Sequence, residues 1–166
     1  MIWGLTTSTF TAVHVALSLV GIGSGLVVLF GLLAGKRLGE WTGLFLATTV
    51  ATSVTGFGFP FDHLLPSHKV GILSLFVLAA AIAALYALHL AGAWRRIYVI
   101  CAVLGLYLNV FVLIVQLFEK ISALQAIAPT QKEPPFVITQ LAVLALFVFL
   151  AVLATTRFTA QPAPAP

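Results

Sequence analysis

The chain of 166 residues is 61% hydrophobic and only 7% charged, with a mean hydropathy of +1.17, more apolar surface than the core of a water-soluble domain of that length can hide. Bilayer lipid must be its solvent, and helices its spanning elements, because the apolar runs are continuous and each lipid-exposed backbone group needs a hydrogen bond within its own segment. The formal charge of +4 is spread thinly along the chain, which excludes the clustered basic surface that nucleic acid requires.

A hydrocarbon core about 30 Å thick takes roughly 20 apolar residues per helix. Runs of that order predict a single all-α domain, residues 1–157, of five transmembrane helices over about 10–35, 41–59, 70–93, 97–118 and 136–156, with a flexible Pro- and Ala-rich tail at 158–166. The first run has no basic region before it and is longer than a signal-peptide core, so it is expected to be retained. It carries His14 near its start and the small-residue pairs Gly21/Gly25 and Gly31/Gly35, which let helix backbones approach closely. Lys36 and Arg37 follow it. On the second run Thr48, Thr52 and Thr55 share one face, with Ser53 beside them. Its end, TGFGFPF at 55–61, combines two glycines, a proline and three phenylalanines, so the helix is expected to break there into an aromatic mouth. Asp62, His63, His68 and Lys69 occupy the next loop.

The third run has an alanine stripe at Ala79, Ala83 and Ala87, then His89, Arg95 and Arg96. The fourth aligns Cys101, Gly105, Asn109, Val112 and Gln116 along one stripe. Cys101 is the single cysteine, which excludes an internal disulfide or a CxxC centre. The loop 119–135 is stiffened by Pro129, Pro134 and Pro135, and the fifth run brings Thr139 and Gln140 one turn inside its start. Lys36, Arg37, Arg95, Arg96 and Arg157 mark one side, against Lys69, Lys120 and Lys132 on the other. By the excess of positive charge in cytoplasmic loops, the amino terminus is expected outside and the carboxyl terminus in the cytoplasm. Small size and sparse loops suit a bacterial inner (plasma) membrane.

With that orientation nearly every strongly polar group within the spans falls in the outer leaflet. Each has a plain structural explanation, since Ser and Thr bond back to their own helix and amides bond across helices. Their convergence at one depth points instead to a pocket lined by His14, His68, His63, Asn109, Gln116, Gln140, Thr52 and Thr55. Three ligands suit those donors. Haem b would take His14 and His68, with His63 as the alternate, as axial imidazoles. A divalent metal would take His14, Asp62, His63 and His68. A quinone would need only polar contacts for its head and an apolar channel for its tail. His89 is the one histidine of the other half, too few for a second haem. No nucleophile elbow, zinc-hydrolase motif or phosphate-cradling loop is present, so any catalysis would be that of a membrane oxidoreductase component. The alternative is a non-catalytic structural or assembly subunit, with Asn109 and Gln116 turned toward a partner membrane protein or a second copy in a homo-oligomer.

Overall fold

The computed structural model describes residues 1–59 and 66–159. Within them lie α1 (Thr7–Leu33), α2 (Gly39–Gly56), α3 (Pro66–Ile82) running into a π-helical turn (Ala83–Ala87), α4 (Trp94–Lys120), a short α5 (Ser122–Ile127) and α6 (Pro134–Arg157). Four stretches are long and apolar enough to cross a membrane: Thr7–Leu33, His68–Ala87, Trp94–Lys120 and Pro134–Arg157. α2 differs because six of its 18 residues are serine or threonine and Glu40 opens it. Yet Thr42, Thr48, Thr49, Thr52 and Ser53 are all buried, so the polarity of α2 is turned into the bundle.

Local chemistry sets the helix ends. Thr6 caps α1 by accepting the Thr9 N–H. At the far end Gly35 adopts φ +71°, and the bonds Lys36 N to Gly31 O (2.8 Å) and Gly35 N to Leu32 O (3.0 Å) close a Schellman motif. Gly35 is therefore a cap, and Gly31 faces Leu38 of the following turn, so this pair closes the α1–α2 connection instead of packing two spans. Gly21 and Gly25 do lie between helices. A Cβ at Gly25 would stand 2.7 Å from Leu106 Cδ1 and 2.8 Å from Phe45 Cδ2, so α1 meets α2 and α4 at a distance only glycine permits.

The third helix stops earlier than the apolar run suggests. The π turn widens the coil after Ile82, and His89, Leu90 and Gly92 then take left-handed conformations (φ 50°, 59° and 52°) that no helix continues through. The expected alanine stripe also faces outward in part, with Ala79 and Ala87 exposed. The packed face is Ser74, Val77, Leu78, Ala81, Ala84 and Leu85, the i, i+3, i+4, i+7 set of a single helical stripe. The loop expected at 119–135 contains α5, and Gln131 Nε2 ties it back to Val115 O at 3.2 Å.

α4 is the central helix, touching α1, α2, α3 and α6, with Tyr98, Val99 and Leu106 fully enclosed. α6 is the least buried of the four apolar stretches, and Ile138, Leu141, Phe149 and Val152 stand out from the bundle as lipid-facing side chains do. One end of the molecule gathers the basic connections, and the other gathers His14, the end of α2 and His68.

Candidate functional site

The second half of α2 is a polar spine, and three neighbouring helices bond to it. Thr55 Oγ1 lies 2.8 Å from His14 Nδ1 on α1. Ser53 Oγ donates to Ser74 Oγ on α3 at 3.1 Å, and Asn109 Nδ2 on α4 donates to Thr49 Oγ1 at 3.3 Å. Gly21 makes room for the last contact, since a Cβ there would lie 3.1 Å from Thr49 Oγ1 and 3.3 Å from Asn109 Nδ2. Asn109→Leu removes that bond while adding apolar bulk, and is expected to lower stability by about 1–2 kcal/mol. An unfolding titration in mixed micelles checks this, with Asn109→Asp expected to cost more, because it adds a buried charge.

His14 is the chemically distinctive member. Thr55 Oγ1 also lies 2.7 Å from Ala51 O and 3.2 Å from Thr52 O, and a hydroxyl has one proton to donate. With that proton held by the backbone, the Thr55 oxygen is left as the acceptor for His14 Nδ1–H. In the neutral ring this leaves Nε2 with a lone pair, without a hydrogen-bond partner among the described residues. The tautomer assignment follows from this hydrogen-bond network. A second ring nitrogen anchored to a fixed acceptor is the arrangement that orients metal-ligating and base imidazoles.

An aromatic wall encloses the ring. Phe59 meets His14 edge-on at 5.2 Å, Phe10 meets Phe59 at 5.1 Å, and Trp3 meets Phe10 at 5.3 Å. Gly58 allows this, because a Cβ there would stand 2.6 Å from Phe10 Cζ. His14 itself is half-buried between the exposed Val13 and Val15, so its open edge is reached from the apolar surroundings of α1. The break after Gly56 thus forms as the two glycines imply, and its phenylalanines serve both histidines: Phe57 packs on the buried His68, ring centroids 5.6 Å apart.

The other expected site residues disperse. Thr52, one turn before Thr55, is buried, and its hydroxyl oxygen has no hydrogen-bond partner among the described residues. Gln140 on α6 donates to Phe111 O of α4 at 3.2 Å, and its buried Oε1 has no partner among the described residues. Gln116 is exposed and bonds Glu119 at 3.3 Å, away from the α2 spine. Asp62 and His63 lie outside the described residues, and among those described no three His, Cys, Asp or Glu side chains converge as a metal would need. Sequence reasoning passed over Thr49 and Ser74. Thr49 stands one residue after Thr48 and three before Thr52, off the Thr48/Thr52/Thr55 stripe, and the i, i+4 pair it makes with Ser53 is the signal available.

Set against known proteins, the chain matches no family model, no curated protein and no solved structure. The residues themselves carry the functional argument.

Proposed function

We propose that this is a five-span membrane protein, α2 included, that binds a lipid-soluble ligand bearing a hydroxyl donor, of the quinol class, at His14. The observation that carries the reading is the contact of His14 Nδ1 with a Thr55 hydroxyl whose proton goes to the Ala51 carbonyl, which leaves Nε2 as the acceptor of the neutral ring. That nitrogen accepts a hydrogen bond, so it favours a quinol O–H over a quinone carbonyl, which would need a donor. The half-buried position beside Val13 and Val15 suits a ligand whose tail stays among lipid chains. A haem iron or a divalent metal would use the same lone pair. The quinol asks for one contact only, whereas a bis-histidine haem asks His14 and His68 to face one another, and each packs on its own phenylalanine.

Purified protein in lipid nanodiscs is expected to bind a short-chain benzoquinol saturably, to show no haem absorption and to carry no stoichiometric metal. Haem bands or bound metal would transfer the site to those ligands. Absence of any saturable binding would leave the alternative, a structural or assembly subunit, for which the outward apolar face of α6 would be the docking element.

The topology in this reading has the amino terminus outside, the carboxyl terminus in the cytoplasm and the chain in a bacterial inner membrane. It rests on the gathering of Lys36, Arg37, Arg95, Arg96 and Arg157 toward one end, and on the burial of the α2 hydroxyls, which removes the obstacle to that helix crossing. In a Cys101→Ala background, a cysteine at the exposed Ser122 is expected to react with an impermeant thiol reagent added to intact cells, and one at Gly39 only after lysis. The reverse pattern would place the His14 site in the cytoplasmic leaflet.

A further inference from the structure

The basic end of the bundle holds two adjoining clefts that the His14 site does not use. One, about 570 Å³, is lined by Lys36 and Arg37 of the α1–α2 turn, His89 of the α3–α4 turn, and Arg95 at the start of α4. The other, about 410 Å³, continues past Arg95 to Arg96, Thr155 and Thr156. Phe158, buried, is shared by both. The tertiary fold brings these cations together: Gly35 comes so close to α6 that a Cβ on it would lie 3.3 Å from Arg157 O, and the left-handed turn at His89 and Leu90 folds the α3–α4 connection over the same opening.

None of these cations is ion-paired among the described residues. Among the described residues the one ion pair is Lys120–Glu119 at the opposite end, and Glu40 is the only carboxylate that the sequence supplies near this end. Cations from two separate segments around one opening, Lys36 and Arg37 on one side and Arg95 and Arg96 on the other, make a receptor for an anion with several oxygens. Depth distinguishes a lipid from a free solute. Trp41 and Trp94, both exposed, lie within about a turn in sequence of Arg37 and Arg95, and the exposed Tyr86 lies three residues before His89; such side chains sit at the headgroup level of a bilayer.

We infer that this cleft binds the phosphate headgroup of an anionic phospholipid, with Arg37 and Arg95 as the principal contacts. The test is native mass spectrometry of the whole protein released from nanodiscs containing phosphatidylglycerol and phosphatidylcholine in equal amounts. The wild type is expected to retain phosphatidylglycerol in preference. Arg37→Gln with Arg95→Gln should weaken that retention about 30-fold, whereas Lys120→Gln with Lys132→Gln, the same change of charge at the other end, should leave it intact. Equal losses from both pairs would overturn the site in favour of a general charge effect, and retention by the Arg37/Arg95 variant would overturn it outright. Displacement of the lipid by millimolar inorganic phosphate would reassign the cleft to a free anion. Should the glutamine pair fail to fold, Arg37→Lys with Arg95→Lys keeps the charge and should retain the lipid, and wild-type unfolding should be later in phosphatidylglycerol than in phosphatidylcholine. No difference between those lipids would equally refute the inference.

Discussion

Gly25→Leu is expected to keep the bundle from closing, whereas Gly23→Leu, two residues away on the same helix, should be neutral. The Gly25 position looks into Leu106 and Phe45, both almost wholly buried, at distances under 3 Å for the first added carbon. Overpacking by a few methylenes costs about 1–3 kcal/mol when neighbours can shift. Here they cannot easily do so, because Phe45 and Leu106 belong to the one core that α1, α2, α3 and α4 share, and Phe45 also approaches the Gly105 position within 3.9 Å. A leucine would therefore push α1 away from both α2 and α4 and break the His14–Thr55 and Asn109–Thr49 contacts with it. Gly23 has nothing within 4 Å and is exposed, so a leucine there meets only lipid. The midpoint of unfolding in dodecyl sulfate separates the two, and an equal loss in both would show that helix propensity, not close approach, governs this stretch.

His14→Phe is expected to weaken quinol binding strongly while leaving the fold intact, since the ring it substitutes fits the same aromatic wall of Phe59 and Phe10. Loss of one buried polar contact is worth roughly 1–3 kcal/mol, about 5- to 150-fold in affinity. Thr55→Val is the more discriminating change. It keeps His14 but removes the acceptor that holds the proton on Nδ1, so both tautomers become populated and only part of the protein presents a bare Nε2. A severalfold loss, smaller than that of His14→Phe, is the expected result. If Thr55→Val bound as tightly as the wild type, the threonine would be a packing residue and the tautomer argument would fail. Isothermal titration with the benzoquinol, on variants shown to be monodisperse, gives both comparisons.

The all-helical character and the four stretches apolar enough to cross a membrane were legible in composition, and the starts of α4 and α6 in the charges and prolines that bound those runs. Three features were not. The end of α3 depends on a π turn and on left-handed backbone at His89 and Leu90, neither of which has a signature in an apolar stretch. The roles of the glycines diverge by tertiary context: spacing alone makes Gly21/Gly25 and Gly31/Gly35 look alike, yet the first pair separates helices and the second closes a turn. The site divides for a related reason. Shared depth placed His14, Thr55, Asn109, Gln116 and Gln140 together, but depth says nothing about angle around the bundle. His14, Thr55 and Asn109 point to the α2 spine, Gln140 bonds α4 from α6, and Gln116 faces outward beside Glu119. The polarity that makes α2 the least membrane-like of the long helices is what its neighbours bond to, so its low hydropathy marks a polar face turned into the bundle.

The proton on the His14 ring is the most direct test. Nitrogen-15 spectra of histidine-labelled protein in nanodiscs, with the His14 signals identified by their loss in His14→Phe, report which ring nitrogen carries hydrogen. Ligand-free protein should show a protonated Nδ1 and a bare Nε2, and the benzoquinol should shift Nε2 while leaving Nδ1 in place. A protonated Nε2 before ligand is added, or an Nε2 signal that the quinol does not move, would contradict the His14 site.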